Sequence, residues 1–416
     1  MNSFLKIRTI DEFDYNRKVV LLRLDINSPL DPVTKKIVNE NKIKKSLETI
    51  RDLLAKNAKL VLIAHQGDTL DYHNLIPLNE HAEKLSRFLG IQVNYIDDIG
   101  GPASQEAIKA LKPREVILLG NLKYLTEEAS TFENVVKLIP EEMLNTYLIR
   151  NLAPLVDYYV NDAFAAAHRN APSMVAFQEI LPAAGGRLLI KEINALNKIM
   201  KNPEKPSVFV LGGAKISDAF GMMKQVLENG TADKILTCGI VGEVMLLASG
   251  IKMGNKKEEF IKNRGLDIFI KPANKYLSNY PSKIEIPIDL AYEKNDKRKE
   301  ILVRELPIEE MSMDVGQKTI EHYKRIILNS GTIFINGPIG VYEKKQFEKG
   351  TKRILKIIAS AKSYSVIGGG DTVNAASKFI NLNKINYIST AGGAMVKYLS
   401  GEELPLIKAM EKAYKT

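Results

Sequence analysis

Cysteine occurs once in 416 residues, at Cys238, so neither an internal disulfide nor a CxxC metal site can form. Cys238 closes the apolar run ILTC, where a thiol is ordinarily a small buried side chain, and a reducing, cytoplasmic setting is expected. No apolar stretch reaches the roughly 18 residues that a membrane helix needs, and the opening MNSFLKIRTIDEFD has no signal-peptide core, so a soluble chain with no membrane partner is expected. Basic residues outnumber acidic ones, 59 to 49, for a formal charge of +10. No basic run is interleaved with aromatics, which points to small phosphorylated metabolites rather than nucleic acid as the acidic partner. GxxxxGK[ST], the protein-kinase signatures and GxGxxG are all missing, against P-loop, protein-kinase and ordinary dinucleotide sites. No short repeat or low-complexity tract is evident.

Alternation is what the chain has in abundance. The length exceeds what one core usually supports, which predicts two domains. Short β-branched runs at Val19–Leu24, Lys59–Ala64, Val116–Leu119 and Val156–Val160 are separated by stretches of helical period. A second series follows at Ser207–Leu211, Lys234–Cys238, Thr332–Ile335, Ser363–Ile367 and Tyr387–Ser389. Between them Arg187–Lys201 has a helical period, preceded by Gly185-Gly186 and ended by NPEKP. The expected fold class is α/β: two Rossmann-like parallel-sheet domains joined by a helix, with a hinge at the glycine pair and a central cleft. The expected boundaries are 1–185, 187–201 for the joining helix, and 202–400.

Ligands of open α/β sheets bind at the carboxyl ends of the strands. In the first series those ends carry Asp25 and Asn27, then His65, then Asn121 and Lys123, then His168 and Arg169, a mostly basic rim suited to a small phosphorylated carboxylate. Each residue alone is also what a helix cap or a structural histidine supplies. The second series ends in glycine: LGGAK with Lys215, CGIVGE with Gly239, INGPIGVYE with Asn336 and Glu343, IGGGD with Asp371, and STAGGA with Gly392 and Gly393. Glycines let backbone approach phosphate oxygens, the following helix N-terminus adds amide donors, and Asp371 can hold magnesium against the same phosphates. One domain for an acidic metabolite and one for a magnesium nucleotide point to phosphoryl transfer.

In their order and spacing LRLDINSP, NDAFAAAHR, LGGAKISD, INGPIGVYE, IGGGDT, STAGGA and SGEELP resemble phosphoglycerate kinase, in its archaeal form, nearly end to end. The resemblance implies a monomer whose N-terminal domain binds 3-phosphoglycerate and whose C-terminal domain binds ATP or ADP with Mg2+. It also implies that a last helix within 402–416 packs back on the N-terminal domain. Carried over, Asp25, Asn27, Lys42, His65, Lys123 and Arg169 are the acceptor residues. Gly212, Gly213, Lys215, Gly239, Asn336, Glu343, Gly369, Gly370, Asp371 and Thr372 are the nucleotide residues. Asp371 is the magnesium ligand, and Lys42, Lys215 and Arg169 are the expected catalytic cations. The substrate carboxylate is itself the nucleophile, so catalysis would be positioning and charge neutralisation.

The departures cluster on the acceptor side. Lys42 and Lys123 stand where the family has arginines, Asp68 replaces the arginine of H-x-x-R, and Gly120 replaces an acid. Lysine keeps the charge without the planar fork, and Asp68 would repel a phosphate. Ala219 and Ala391 are smaller departures. A kinase of the same fold with another small carboxylate acceptor, or a weakly catalytic nucleotide-binding protein, therefore stays open.

Overall fold

The computed structural model describes residues 6–67 and 75–415, and it divides into two compact units. The first comprises residues up to Ile193 together with Glu403 onward; the second runs from Asn194 to Glu402.

The first unit is built on six parallel strands in the order β3-β4-β2-β1-β5-β6: β1 Val19–Arg23, β2 Lys59–Ile63, β3 Val93–Ile96, β4 Val116–Leu119, β5 Tyr158–Asn161 and β6 Ala183–Gly185. Val20, Leu22, Leu60, Leu62 and Val160 are fully buried, as expected of strands covered by helices on both faces. The helices Asn41–Ala55 and Asn79–Leu89 bury one stripe each, through Ile43, Leu47, Ile50 and Leu54, and through Ala82 and Leu85. The C-terminal helix Pro405–Lys415 buries Leu406, Ala409 and Met410. Its entry is fixed by the Leu406 amide, which donates to the Ala167 carbonyl at 3.1 Å, and Lys412 pairs with Glu179 at 2.6 Å.

The glycine pair before helix Arg187–Met200 is demanded by packing. A Cβ on Gly186 would lie 2.3 Å from the buried Asp162 carboxylate, and one on Gly185 would lie 2.9 Å from Ile190. Asp162 accepts the Thr49 hydroxyl at 2.6 Å and the Leu189 amide at 3.0 Å, which satisfies an orphan donor in the first turn of that helix.

The second unit has its own six parallel strands in the order β15-β14-β13-β7-β8-β9: β7 Ser207–Leu211, β8 Lys234–Thr237, β9 Ile284–Glu285, β13 Thr332–Asn336, β14 Tyr364–Gly368 and β15 Tyr387–Ile388. Beside it lies an antiparallel three-stranded sheet that periodicity does not predict: β10 Asp289–Lys294, β11 Lys297–Leu302 and β12 Ser312–Val315. Its hairpin turns at Asn295 and Asp296, both at positive φ of 53° and 56°, the two-residue turn that matches strand twist. Among the described residues no helix is long and apolar enough to cross a membrane.

Candidate active site

At the carboxyl edge of the first sheet, Arg23, His65, Lys123 and Arg169 surround a space of about 10 Å³. Arg23, inside the apolar run Val19–Leu24, is the centre of this cluster. Only 2% exposed, it donates to the Ser173 hydroxyl at 3.2 Å, to the Leu24 carbonyl, and to His65 Nδ1 at 2.8 Å. Burial pulls its pKa down from the usual arginine value, though not far enough to discharge a guanidinium. The available signal was a lone charge inside LLRL, which a buried strand keeps only where it has partners.

A guanidinium only donates, so His65 Nδ1 is the acceptor and the imidazole proton sits on Nε2. Burial, then Arg23, Lys123, Lys42 and Arg169, hold the His65 pKa well below its ordinary value, so the ring is neutral. Asn27 contacts Nε2 at 3.4 Å through its amide nitrogen, while its oxygen accepts the Gly67 amide at 3.2 Å. Among the described residues the Nε2 proton has no acceptor, which leaves it as a donor for an anion.

Two of the acceptor-side cations are already paired. Lys42 lies 2.8 Å from Asp25, and Arg169 donates Nε to Glu133 at 2.7 Å. Lys123 is buried behind them, with Glu128 nearby; burial raises the Glu128 pKa, and its carboxylate accepts the Ser173 amide at 2.6 Å and hydroxyl at 2.7 Å. Asn121 is not part of the rim. Fully buried, it ties the loop after β2 to the loop after β4, donating to the carbonyls of Gln66 at 2.9 Å and Ile76 at 2.8 Å and accepting the Gln66 amide at 3.0 Å. Asp68 lies outside the described residues.

In the second unit the strand ends interlock through bare backbone. The Gly212 amide donates to the Asn336 carbonyl at 2.9 Å and the Gly213 amide to the Pro338 carbonyl at 2.8 Å. A Cβ on Gly337, whose φ is +91°, would lie 2.1 Å from the Gly212 carbonyl, so only glycine permits this approach. Beside it is a cavity of about 140 Å³ lined by Lys215, Asn336, Gly370, Asp371 and Gly393 among others. The helices Ile216–Glu228, Gly370–Phe379 and Gly393–Leu399 all begin at this cavity. Their free amides and dipoles make it an anion site.

Cβ atoms on Gly370, Gly392 or Gly393 would meet nothing within 4 Å, so the space before those helix ends is open. Lys215 and Asp371 are both exposed, and neither has an ion-pair partner among the described residues. Thr372 is fully buried and accepts the Gly337 amide at 2.7 Å, which fixes the loop rather than presenting a free hydroxyl. Gly213, Gly239, Glu343 and Asp371 also line a larger neighbouring cavity of about 430 Å³.

What both edges offer are donors for anions, and chemistry that needs donors alone is phosphoryl transfer between small molecules. A family profile described as phosphoglycerate kinase matches residues 10–402. The phosphoglycerate kinase of Methanothermus fervidus is 43% identical over 410 residues, covering 99% of this chain and 98% of that one. That of Sulfurisphaera tokodaii is 40% identical over 99% of this chain and 97% of its own. The crystal structure of phosphoglycerate kinase from Pyrococcus horikoshii superposes with a TM-score of 0.88 at 38% identity, over 98% of this chain and all of that one. The chain belongs to the phosphoglycerate kinase family. It is accordingly a phosphotransferase of archaeal type, with ATP or ADP as a substrate.

Proposed function

We propose that the chain catalyses reversible transfer of the γ-phosphoryl group of ATP to the carboxylate of 3-phosphoglycerate, through acceptor residues in the first unit and nucleotide residues in the second. The observation that carries the reading is the presence of two anion sites of different size and chemistry, one at the carboxyl strand ends of each unit's parallel sheet. Arg23, His65, Lys123 and Arg169 suit a small multiply charged acceptor, with His65 supplying a neutral donor; Asp25 and Asn27 suit its hydroxyl and carboxylate region. Gly212, Gly213, Gly369, Gly370 and Lys215 suit a polyphosphate, and Glu343 suits a ribose.

The acceptor carboxyl oxygen attacks the γ-phosphorus, the bond to the ADP oxygen breaks, and an acyl phosphate forms with no proton transferred. Lys42, Arg169 and Lys215 neutralise the oxygens that gain charge. Asp371, exposed at the first turn of its helix and without an ion-pair partner among the described residues, fits a hard cation that takes its other ligands from phosphate and water. Among the described residues no group of three or more His, Cys, Asp or Glu could hold a metal by itself. Mg2+ bound there would screen the phosphate charge.

The division of labour is tested by steady-state kinetics on the full-length enzyme. Arg169→Ala should raise KM for 3-phosphoglycerate by about 30-fold or more, roughly 2 kcal/mol, while KM for ATP stays within about twofold. Lys215→Ala should lower kcat by about 100-fold with acceptor affinity unchanged. Equal effects of either variant on both substrates would contradict the assignment.

A further inference from the structure

Asn27 and His65 meet from the loops after β1 and β2, with the Asn27 amide nitrogen 3.4 Å from Nε2. The two strands pair in parallel as far as Arg23 and Ile63, and one further backbone bond, from the Leu24 amide to the Ile63 carbonyl at 3.0 Å, closes the ladder. Among the described residues no backbone bond joins the two loops beyond it. The spacing of two groups that have to hold one small anion is therefore left to side chains.

Gln66 supplies most of that link. Its Oε1 accepts the Ser28 amide at 2.8 Å, and its Nε2 donates to the Ser28 carbonyl at 3.0 Å. The side-chain amide thus answers both backbone groups of residue 28 as a neighbouring strand would. Gln66 follows His65 and Ser28 follows Asn27, so this pair sets the distance between those two; the Gly67 amide, donating to Asn27 Oδ1 at 3.2 Å, reinforces it one residue further on. Gln66 is 2% exposed and does not itself line the space that His65 borders, so it can act on a bound anion only through its neighbours. Its amide is held in turn by fully buried His81, on the helix Asn79–Leu89. The Ser28 amide fixes Oε1 as an acceptor, so His81 Nε2, 3.1 Å away, carries the proton and donates to it.

We propose that Gln66 is a positioning residue for the phosphoryl acceptor: its amide holds Asn27 beside His65, and His81 holds the amide. This assignment rests on the acceptor reading of the first unit. Ser28 is 3% exposed, so without the Gln66 amide its N–H and C=O are left unpaired in a buried place. The loop after β1 then has to shift toward other partners, and Asn27 moves away from His65 with it. The nucleotide residues stand on the second unit's own sheet, so the loss should fall on the acceptor.

The test is steady-state kinetics on the full-length enzyme with 3-phosphoglycerate and MgATP each varied, and with the urea midpoint of every variant measured alongside. Gln66→Met keeps the length of the side chain without its polar atoms; it should raise KM for 3-phosphoglycerate by about tenfold or more, a larger change than that in kcat, with KM for MgATP within about twofold. His81→Leu should raise the same KM by about fivefold, and His81→Gln, which returns a donor to the Nε2 position, should bring it back to within about twofold of the wild type. A folded Gln66→Met whose urea midpoint falls while its KM for 3-phosphoglycerate is unchanged would make the clasp structural only and overturn the assignment. So would His81→Leu and His81→Gln that behave alike, or KM values that rise equally for both substrates. Should Gln66→Met not fold, the His81 pair decides. A wild type that neither binds nor phosphorylates 3-phosphoglycerate overturns the acceptor reading, and this assignment with it.

Discussion

Replacing Glu133 by glutamine should tighten binding of the anionic acceptor. Arg169 is held by the Glu133 carboxylate at 2.7 Å, and the partners are only 17% and 16% exposed. At such separations and an effective dielectric near 20 the gross attraction is about 4 kcal/mol, most of which desolvation and side-chain ordering take back. About 1–2 kcal/mol of net pairing then has to be given up when acceptor oxygens claim the guanidinium. Glutamine retains an oxygen for the Asn170 amide, which Glu133 accepts at 2.6 Å, so the surrounding loop is kept. The expected result is a KM for 3-phosphoglycerate lower by about 5- to 30-fold, with kcat little changed. The gap should narrow between roughly 50 and 200 mM salt, since screening weakens the competing pair. Steady-state kinetics at both salt concentrations decides it. An unchanged or higher KM would mean that Arg169 stays on Glu133 during turnover and does not bind the acceptor.

Burial pulls the His81 pKa down to about 4. The unfolded chain protonates this side chain near pH 6.5, so it binds more protons than the fold as pH falls from about 6.5 to 4, and up to about 3 kcal/mol of stability is lost over that window. The advantage of the wild type over His81→Gln in urea midpoint should therefore shrink toward acid; a constant difference would contradict it. Gly369→Ala puts a side chain at φ +81° and 2.3 Å from Asn336 Oδ1, and should raise KM for ATP by about tenfold while leaving 3-phosphoglycerate affinity alone. Loss of both affinities would point to misfolding instead. Asp371→Asn should raise the magnesium concentration for half-maximal rate by about tenfold or more, and an unchanged magnesium titration would remove Asp371 as the ligand.

The central strands could be read from the sequence because a parallel sheet covered on both faces leaves unbroken β-branched runs, and the runs at Val116–Leu119 and Ser207–Leu211 coincide with the observed strands. Strands with less of that signature were missed. β3 is half open to solvent and β9 has two residues, while the hairpin of β10 and β11 is dominated by exposed charge in its second strand. At the site, glycines such as Gly212 and Gly337 were legible because their role is local: backbone passes against backbone, and a Cβ would clash with it. The acceptor side is assembled from loops that follow different strands, and there side-chain identity does not report the partner. Asn121 looked like a ligand-facing amide and is a buried brace. Arg23 looked like strand filling and is the donor that sets the tautomer of His65. The pairing of Arg169 with Glu133, 36 residues apart, leaves no mark on local pattern.

The central claim is that the altered acceptor rim still selects 3-phosphoglycerate. Lys42 and Lys123 keep the positive charge that the family's arginines supply, and Arg23 and the His65 donor are intact. Phosphoryl transfer from MgATP should therefore prefer 3-phosphoglycerate over both glycerate and 2-phosphoglycerate by about 1,000-fold in kcat/KM, roughly 4 kcal/mol of discrimination. Binding of MgATP without turnover of 3-phosphoglycerate, or equal use of glycerate, would contradict the account and assign the rim to a different acceptor.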